Sequence, residues 1–252
     1  MKFYKYQGTG NDFIMLDNRS GSFNLSQKEI ERLCHRRFGI GADGLILLEN
    51  DTDLDFKMVY YNADGAESTM CGNGGRCLVA FAHFLKIFDA HCTFQAIDGR
   101  HEAEISNGIV KLKMIDVPEI TQKPEYTVMN TGSPHYVVWV EAVEQFPVYK
   151  EGKAIRYSEA FAKEGINVNF IEEVAPNTLF VRTYERGVED ETYSCGTGVT
   201  ASALTYMLSH HLNEVEIQTL GGNLKVYAEK ADSGFKNVWL EGPAEQVFAG
   251  EL

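Results

Sequence analysis

The sequence has few cysteines, and none has the spacing of a metal site or a disulfide framework. The 252 residues include five cysteines, an odd number, and no CxxC pair. An odd count argues against a disulfide scaffold, and no cysteine pair lies near the seven histidines with zinc spacing. The default interpretation of each cysteine is therefore a small buried apolar residue, which suits Cys34, Cys77 and Cys92. We expect no metal site.

Basic residues and long apolar runs are also scarce. The chain has 23 lysines and arginines against 36 aspartates and glutamates, a net charge of −13. Such a charge disfavours binding to nucleic acid or to an anionic membrane. No apolar run is long enough to span a bilayer, and the start, MKFYKYQGTGND, lacks the apolar core of a secretion signal. We expect a soluble, cytoplasmic protein with neither a nucleic-acid nor a membrane partner.

The second half of the chain repeats the first. QGTGNDFIML (7–16) resembles NTGSPHYVVW (130–139), and TFQAIDGRHEAEI (93–105) resembles EIQTLGGNLKVYA (216–228). Five such pairs occur in the same order, at offsets of about 122 to 126 residues. We infer two copies of one unit of ordinary domain size. The first is predicted over 1–117, completed by a C-terminal strand from about 241–252, and the second over 118–240.

Each copy shows short alternating strands, one early helix and one later helix. In LSQKEIERLCHRR, Ser26 followed by Glu29 is typical of a capping box at a helix start. The later helices, predicted over 76–86 and 199–211, are apolar almost all round, which indicates burial. The sequence therefore predicts an α+β fold of two pseudo-symmetric domains, each a mixed, barrel-like sheet wrapped around a central buried helix.

Cys71 and Cys195 hold equivalent places in the repeat, each at the mouth of a buried helix. A helix N-terminus lowers the pKa of a cysteine, and its free N–H groups can bind a carboxylate. We expect a pseudo-twofold axis to bring the two thiols face to face across a cleft. One thiolate could then remove the proton from the carbon beside a bound carboxylate, while the opposite thiol returns one. This stereoinversion needs no metal and no organic cofactor.

Four other interpretations stay open on the residues alone. GTGVTA (196–201) fits a dinucleotide-binding GxGxxA, with Glu214 and Glu216 near the distance of a ribose contact. A single-cysteine hydrolase could use His135 as its base. The cysteines could form a thiol redox pair. They could also be structural residues of a noncatalytic binding module.

The motifs resemble those of the diaminopimelate epimerase family across essentially the whole chain. They are GTGNDF near the N-terminus, NADGxE before CGNG, and YERGVEDET before CGTG. The resemblance implies a cofactor-independent isomerase that interconverts LL- and meso-diaminopimelate in lysine and peptidoglycan synthesis. It also implies two pseudo-symmetric α+β domains and a homodimer.

The resemblance also implies roles for single residues. Cys71 and Cys195 resemble the two acid–base thiols of the family. Contacts to the substrate are implied for Asn11, Asn62, Gly72, Asn73, Asn167, Glu185, Arg186, Gly196 and Thr197. His135 and Glu185 resemble side chains that modulate the cysteines.

Two positions depart from the family pattern, and two related families compete. Ser133 stands in GSPH where the family often has asparagine, and Gly44 stands where some members have glutamine. Proline racemases and hydroxyproline epimerases have a CGHG-like motif at the first cysteine loop, where this chain has CGNG. Their substrates have no distal amino-acid head, so they need no clamp for one. Isomerases related to phenazine synthesis lack the cysteine pair.

Overall fold

The computed structural model describes residues 1–252, which form eighteen strands and four α-helices. The strands of the first half are β1 Lys2–Gly8, β2 Asn11–Asp17, β3 Gly44–Glu49, β4 Phe56–Asn62, β5 Glu67–Ser68, β6 His91–Ala96, β7 Gly99–Ser106 and β8 Ile109–Lys113. Those that follow are β9 Ile120–Gln122, β10 Thr127–Asn130, β11 Pro134–Trp139, β12 Asn167–Ala175, β13 Thr178–Glu185, β14 Asp190–Thr192, β15 Glu214–Thr219, β16 Gly222–Lys230, β17 Phe235–Pro243 and β18 Glu245–Glu251. The helices are α1 Gln27–Cys34, α2 Gly72–Phe84, α3 Val148–Arg156 and α4 Gly196–His210, with a 3₁₀ turn at Val143–Gln145.

The chain divides into two compact units with the same topology. The first contains residues 1–112 and 242–252, and the second residues 113–241. In the first unit the strand order is β18-β1-β2-β3-β4-β6-β7-β8, with β2–β3 and β4–β6 parallel. In the second it is β9-β10-β11-β12-β13-β15-β16-β17, with β11–β12 and β13–β15 parallel. The predicted duplication and the mixed α+β architecture are confirmed.

Each unit wraps its sheet around one helix. Helix α2 contacts β18, β1, β2 and β3 from one end of the strand order and β7 near the other end. Helix α4 contacts β10 to β13 and also β15 and β16. Ten of the thirteen residues of α2 and eleven of the fifteen of α4 are buried. The expected central buried helix is present in both units.

The other face of the sheet in the first unit is covered by α1. Ser26 caps this helix, and its side chain accepts a hydrogen bond from the Glu29 N–H while the Glu29 carboxylate accepts one from the Ser26 N–H, as predicted. On β2, Ile14 packs in the cluster that contains Ile30 of α1, whereas Phe13 faces the α2 side. Because successive strand residues point to opposite faces, β2 is apolar throughout rather than alternating.

The two central helices begin earlier than the sequence predicts. Helix α2 starts at Gly72 rather than 76, and α4 at Gly196 rather than 199. Glycine is a poor helix former, so the apolar pattern becomes visible only after the glycine-rich loops. The difference matters because it makes Cys71 and Cys195 the capping residues of the two helices.

Candidate functional site in each unit

In the first unit, Cys71 occupies the N-cap of α2. Its sulfur accepts a hydrogen bond from the Gly74 N–H, with a Gly74 N to Cys71 Sγ distance of 3.2 Å. A Cβ at position 74 would lie 3.1 Å from this sulfur and 3.2 Å from Ile46 Cδ1, so glycine allows the close contact. A sulfur that accepts an N–H bond at a helix N-terminus is stabilised as the thiolate.

A chain of hydrogen bonds with a fixed donor-to-acceptor order lies beside the start of α2. The Arg76 guanidinium donates to Asn73 Oδ1 at 3.0 Å, and Asn73 Nδ2 lies 3.4 Å from Asn11 Oδ1. Asn11 Nδ2 donates to the Asp43 carboxylate at 2.6 Å. A guanidinium can only donate and a carboxylate can only accept, so both asparagine amides have one permitted orientation. The structure thus brings Asn11 to Asn73, in the first turn of the helix that Cys71 caps.

Gly44 and Asn62 pair in register where β3 begins and β4 ends. A Cβ on Gly44 would lie 2.6 Å from both the Tyr60 ring and the Tyr61 carbonyl oxygen. Because one of these atoms belongs to the backbone, glutamine at this position would require the strands to shift. Asn62 is exposed at the strand end.

Substituting Gly44 by alanine should destabilise the protein by about 1–3 kcal/mol, because the added methyl overpacks two neighbouring strands. Urea denaturation of the wild type and Gly44→Ala measures this difference in the free energy of unfolding. Stability within about 0.5 kcal/mol of the wild type would contradict the prediction.

In the second unit, Cys195 caps α4 beside a buried histidine. The Asn169 Oδ1 accepts from the Thr183 hydroxyl at 3.0 Å, so the Asn169 NH2 faces His135 Nδ1 at 3.1 Å. His135 Nδ1 is then the acceptor, and the proton on Nε2 is donated to Thr197 Oγ1 at 2.9 Å. This leaves the Thr197 hydroxyl hydrogen for Cys195 Sγ, 3.5 Å away. The arrangement directs a hydrogen bond onto the Cys195 sulfur.

His135 is neutral in this relay of hydrogen bonds, which runs from Thr183 through Asn169, His135 and Thr197 to Cys195. It is fully buried, and burial, together with the positive charge of Arg186, lowers its pKa to about 3, although the hydrogen bond with Asn169 opposes the shift. A neutral imidazole can accept at Nδ1 and donate at Nε2, which the relay requires.

The lowered pKa of His135 predicts a pH dependence of stability. An unfolded histidine has a pKa of about 6.5, so between about pH 6.5 and 3 the unfolded chain binds a proton that the native state does not. The free energy of unfolding of the wild type should therefore fall relative to that of His135→Gln as the pH is lowered through this window. Thermal and urea denaturation at a series of pH values measures it. A difference that stays constant between pH 7 and pH 4 would refute the assignment.

Asn167 ties three segments of the second unit together. Its NH2 donates to Ser133 Oγ at 2.8 Å and to the Pro134 carbonyl at 3.1 Å, and its Oδ1 accepts from the Arg186 N–H at 2.8 Å. Ser133, where the family pattern differs, therefore accepts a hydrogen bond from Asn167. The Arg186 side chain is exposed and donates to the Glu164 carbonyl at 2.9 Å. Arg186 is thus held from two sides at the end of β13.

Glu185 lies one residue before Arg186 and is half-buried. Its carboxylate accepts from the Thr192 hydroxyl at 3.0 Å. This bond links the end of β13 to β14, the short strand that leads into the Cys195 loop.

Sequence reasoning missed the side chains that orient the predicted ones. They are Thr9, Asp43, Arg76, Asn169 and Thr183. Arg76 was detectable as a charged residue inside a helix that is otherwise apolar. Asn169 was detectable as a polar residue inside the buried strand segment NVNFI.

The other three cysteines are buried and weakly acidic. Burial raises the pKa of Cys34 to about 11, that of Cys92 to about 12, and that of Cys77 further. This agrees with their interpretation as small packing residues. No group of three or more histidine, cysteine or acidic side chains is arranged to hold a metal ion.

The GTGVTA motif begins α4 directly after Cys195. The strand before it, β14, has three residues and no buried one, unlike the buried strand that precedes a dinucleotide loop. Glu214 and Glu216 both pair with Lys225 of β16, at 2.9 and 3.1 Å. This context does not match a ribose-binding site. None of the helices is long and apolar enough to cross a bilayer.

Comparison with known proteins identifies relatives along the whole chain. A family model described as diaminopimelate epimerase matches residues 3–117 and 127–247. A diaminopimelate epimerase of Flavobacterium psychrophilum is 54% identical over 252 residues, covering 98% of both chains. One of Chlorobaculum tepidum is 43% identical, covering 97% of this chain and 98% of the relative.

Solved structures with low sequence identity share the fold. A phenazine biosynthesis protein of the PhzF family from Bacillus anthracis has a TM-score of 0.79 at 15% identity, covering 100% of this chain and 98% of that one. A hydroxyproline epimerase of Agrobacterium vitis has a TM-score of 0.70 at 12% identity, covering 99% and 91%.

Proposed function

Because this chain belongs to the diaminopimelate epimerase family, we propose that it interconverts LL- and meso-diaminopimelate by two-base proton transfer between Cys71, Cys195 and the α-carbon. The observation that carries the proposal is the repeated placement of a cysteine at the N-cap of each buried helix. An enzyme of this family is an isomerase that acts in lysine biosynthesis. Diaminopimelate is also a precursor of peptidoglycan.

The proposed reaction moves one proton off the α-carbon and another onto its opposite face. The thiolate of one cysteine takes the α-proton and becomes a thiol, and the released electron pair delocalises into the substrate carboxylate. The thiol of the other cysteine then protonates the opposite face and becomes the thiolate. The configuration inverts, and the two sulfurs exchange protonation states.

The helix starts would stabilise the charge that develops on the carboxylate. Backbone N–H groups of Gly72 and Asn73 on one helix, and of Gly196 and Thr197 on the other, are the proposed donors. They carry the partial positive charge of the helix N-termini. Their interaction with the carboxylate strengthens as the carboxylate gains enediolate character. The chemistry proposed here uses side chains and backbone alone, with no metal or organic cofactor.

Recognition of the distal amino acid head is assigned to Asn62, Asn167 and Arg186, with Asn11 nearer the reacting carbon. Arg186 supports this assignment because it is exposed and held at its backbone by Asn167. A planar guanidinium binds a carboxylate with two hydrogen bonds. Glu185 and His135 are proposed to modulate the two thiols, His135 through Thr197.

We further propose that the enzyme is a cytoplasmic homodimer. The cytoplasmic location is supported by the five cysteines, none of which forms a disulfide. Association is supported by exposed apolar side chains on the last strand, where Val247 is 57% and Phe248 46% exposed.

Assay of the purified, reduced protein on several amino acids tests the proposed substrate. We expect conversion of LL-diaminopimelate into the meso form and no racemisation of proline or hydroxyproline. Conversion of proline with none of diaminopimelate would reassign the substrate to that of the structurally similar racemases. Binding of diaminopimelate without conversion would instead favour a binding protein.

A further inference from the structure

Arg76 is a fully buried arginine without an acidic partner. Its guanidinium makes four hydrogen bonds, and every acceptor is neutral: the Pro243 and Gly72 carbonyls at 3.5 and 3.3 Å, the Thr9 hydroxyl at 3.1 Å and Asn73 Oδ1 at 3.0 Å. Buried cations in proteins are normally paired with an anion. The charge of Arg76 is therefore balanced by no group of opposite charge among its partners.

This charge acts on the neighbouring thiols. Burial lowers the pKa of Arg76 to about 10, which leaves it protonated at neutral pH, while negative charge on Cys77 or Cys71 raises it. The interaction is reciprocal, so the guanidinium favours a thiolate over a thiol at Cys71. The charge of Arg76 also lowers the pKa of Cys77, but the burial of Cys77 has the larger effect and raises that pKa overall.

The fold holds Arg76 close to the β1–β2 turn at a cost. Thr9, which accepts from the guanidinium, has a φ of +50°, an unfavourable conformation for a β-branched residue. A Cβ on Gly8 would lie 3.2 Å from both Asn73 O and Cys77 Sγ, and 3.4 Å from Arg76 Nη2. Both features bring the turn against the start of α2.

We propose that Arg76 is a positioning residue that keeps the Cys71 half of the site positively charged and holds the Asn73 and Asn11 amides in a single orientation. The first role prepares Cys71 as a thiolate before the substrate binds. The second places Asn11 where the substrate contact is assigned. The link between Arg76 and catalysis rests on the proposed function, in which Cys71 is one of the two acid–base thiols. The second unit has no counterpart, because Thr200 stands at the equivalent position of α4 and donates to the Gly196 carbonyl.

The other charged groups around the start of α2 have partners of their own. The Asp98 carboxylate accepts the Met70 N–H at 3.5 Å and pairs with His101 at 3.2 Å. The pairs on β1, β2 and the following loop, and the polar contact to β18, are Lys5–Asp12, Arg36–Asp12, Arg36–Asp43 and Gln7–Glu245. Of the cations in this set, Arg76 alone lacks an acidic partner, which is why its removal should change the charge that Cys71 experiences.

The test is the pH dependence of cysteine alkylation in the native, full-length protein. Iodoacetamide is reacted at a series of pH values, and modification of Cys71 and Cys195 is quantified by peptide mass spectrometry. In the wild type we expect a Cys71 midpoint at least about one unit below the ordinary thiol value of about 8.5. Arg76→Gln, which keeps a donor but not the charge, should raise the midpoint by about one unit or more.

Arg76→Lys separates charge from geometry. It keeps the charge, so its Cys71 midpoint should stay within about half a unit of the wild type. Its kcat should fall because an ammonium cannot reproduce the planar guanidinium, which donates from Nη1 to Gly72 and from Nη2 to Asn73 and Thr9. Cys195 is compared in the same samples, and its midpoint should change less than that of Cys71 in Arg76→Gln, because Arg76 contacts the start of the helix that Cys71 caps.

Two results would overturn the proposal. One is a wild-type Cys71 midpoint at or above about 8.5, which needs no variant and therefore decides the matter even if Arg76→Gln fails to fold. The other is a folded Arg76→Gln protein with the wild-type midpoint. Alkylation does not require diaminopimelate, so these failures are distinct from a wild type that alkylates as expected but does not epimerise.

Discussion

Alanine at either Cys71 or Cys195 should lower kcat/KM for diaminopimelate epimerisation by at least about a hundredfold in both directions. A positioned acid or base contributes about 10²–10⁴ in rate, and inversion through two faces needs one group on each. Loss of either thiol removes the proton acceptor for one direction and the donor for the other. Epimerisation assayed from LL- and from meso-diaminopimelate measures both.

The matched control for these variants is Cys92→Ala. Cys92 is 3% exposed on β6, and burial raises its pKa, so its thiol should take no part in the chemistry. The control should keep nearly wild-type turnover even if its stability falls slightly. Near-wild-type turnover in Cys71→Ala or Cys195→Ala would refute the two-base mechanism.

Alanine at Gly198 should lower kcat by about tenfold or more and destabilise the protein by about 1–3 kcal/mol. The new Cβ would lie 2.2 Å from Asn169 Oδ1 and 3.3 Å from His135 Cε1. Asn169 is fully buried and bonded to Thr183, so it cannot move without breaking the relay that ends at Cys195. Steady-state kinetics and urea denaturation of the same preparation measure the two effects.

Two further variants separate loss of the relay from loss of stability. Ala203→Gly, later in the same helix, should cost about 1 kcal/mol in helix propensity with no loss of turnover at a temperature where it is folded. Gly198→Ala combined with Asn169→Ala removes the clash but also the Asn169 hydrogen bonds to His135 and Thr183, so turnover should not recover. Full recovery of turnover in the double variant would show that the relay does not assist Cys195.

The repeat and the presence of the two central helices were predictable because they depend on patterns along the chain. Equivalent segments recur in order, and the apolar helices follow the two cysteine loops, which is why the α+β fold could be inferred, while the family was inferred from the motifs it resembles. The predicted helix starts were three or four residues too late. In α2, Gly72, Gly74 and Gly75 directly follow the N-cap Cys71, and their low helix propensity hides the first turn of the helix in the sequence.

The orienting contacts could not be inferred, because they join residues far apart in the sequence. Asp43 and Asn11 meet through the parallel register of β2 and β3, and Asn169 meets His135 through that of β11 and β12. The residue type at Gly44 also depends on packing, since a neighbouring carbonyl excludes a side chain there. Such facts depend on tertiary register, which local sequence does not contain.

The most direct test of the central claim is incubation of the purified, reduced protein with LL-diaminopimelate in heavy water. Proton nuclear magnetic resonance and mass spectrometry then follow the configuration and the isotope at the α-carbons. The two-base account predicts formation of the meso isomer with one solvent deuteron at the inverted carbon. LL-diaminopimelate that keeps both its configuration and its α-protons in the presence of correctly folded wild-type protein would contradict it.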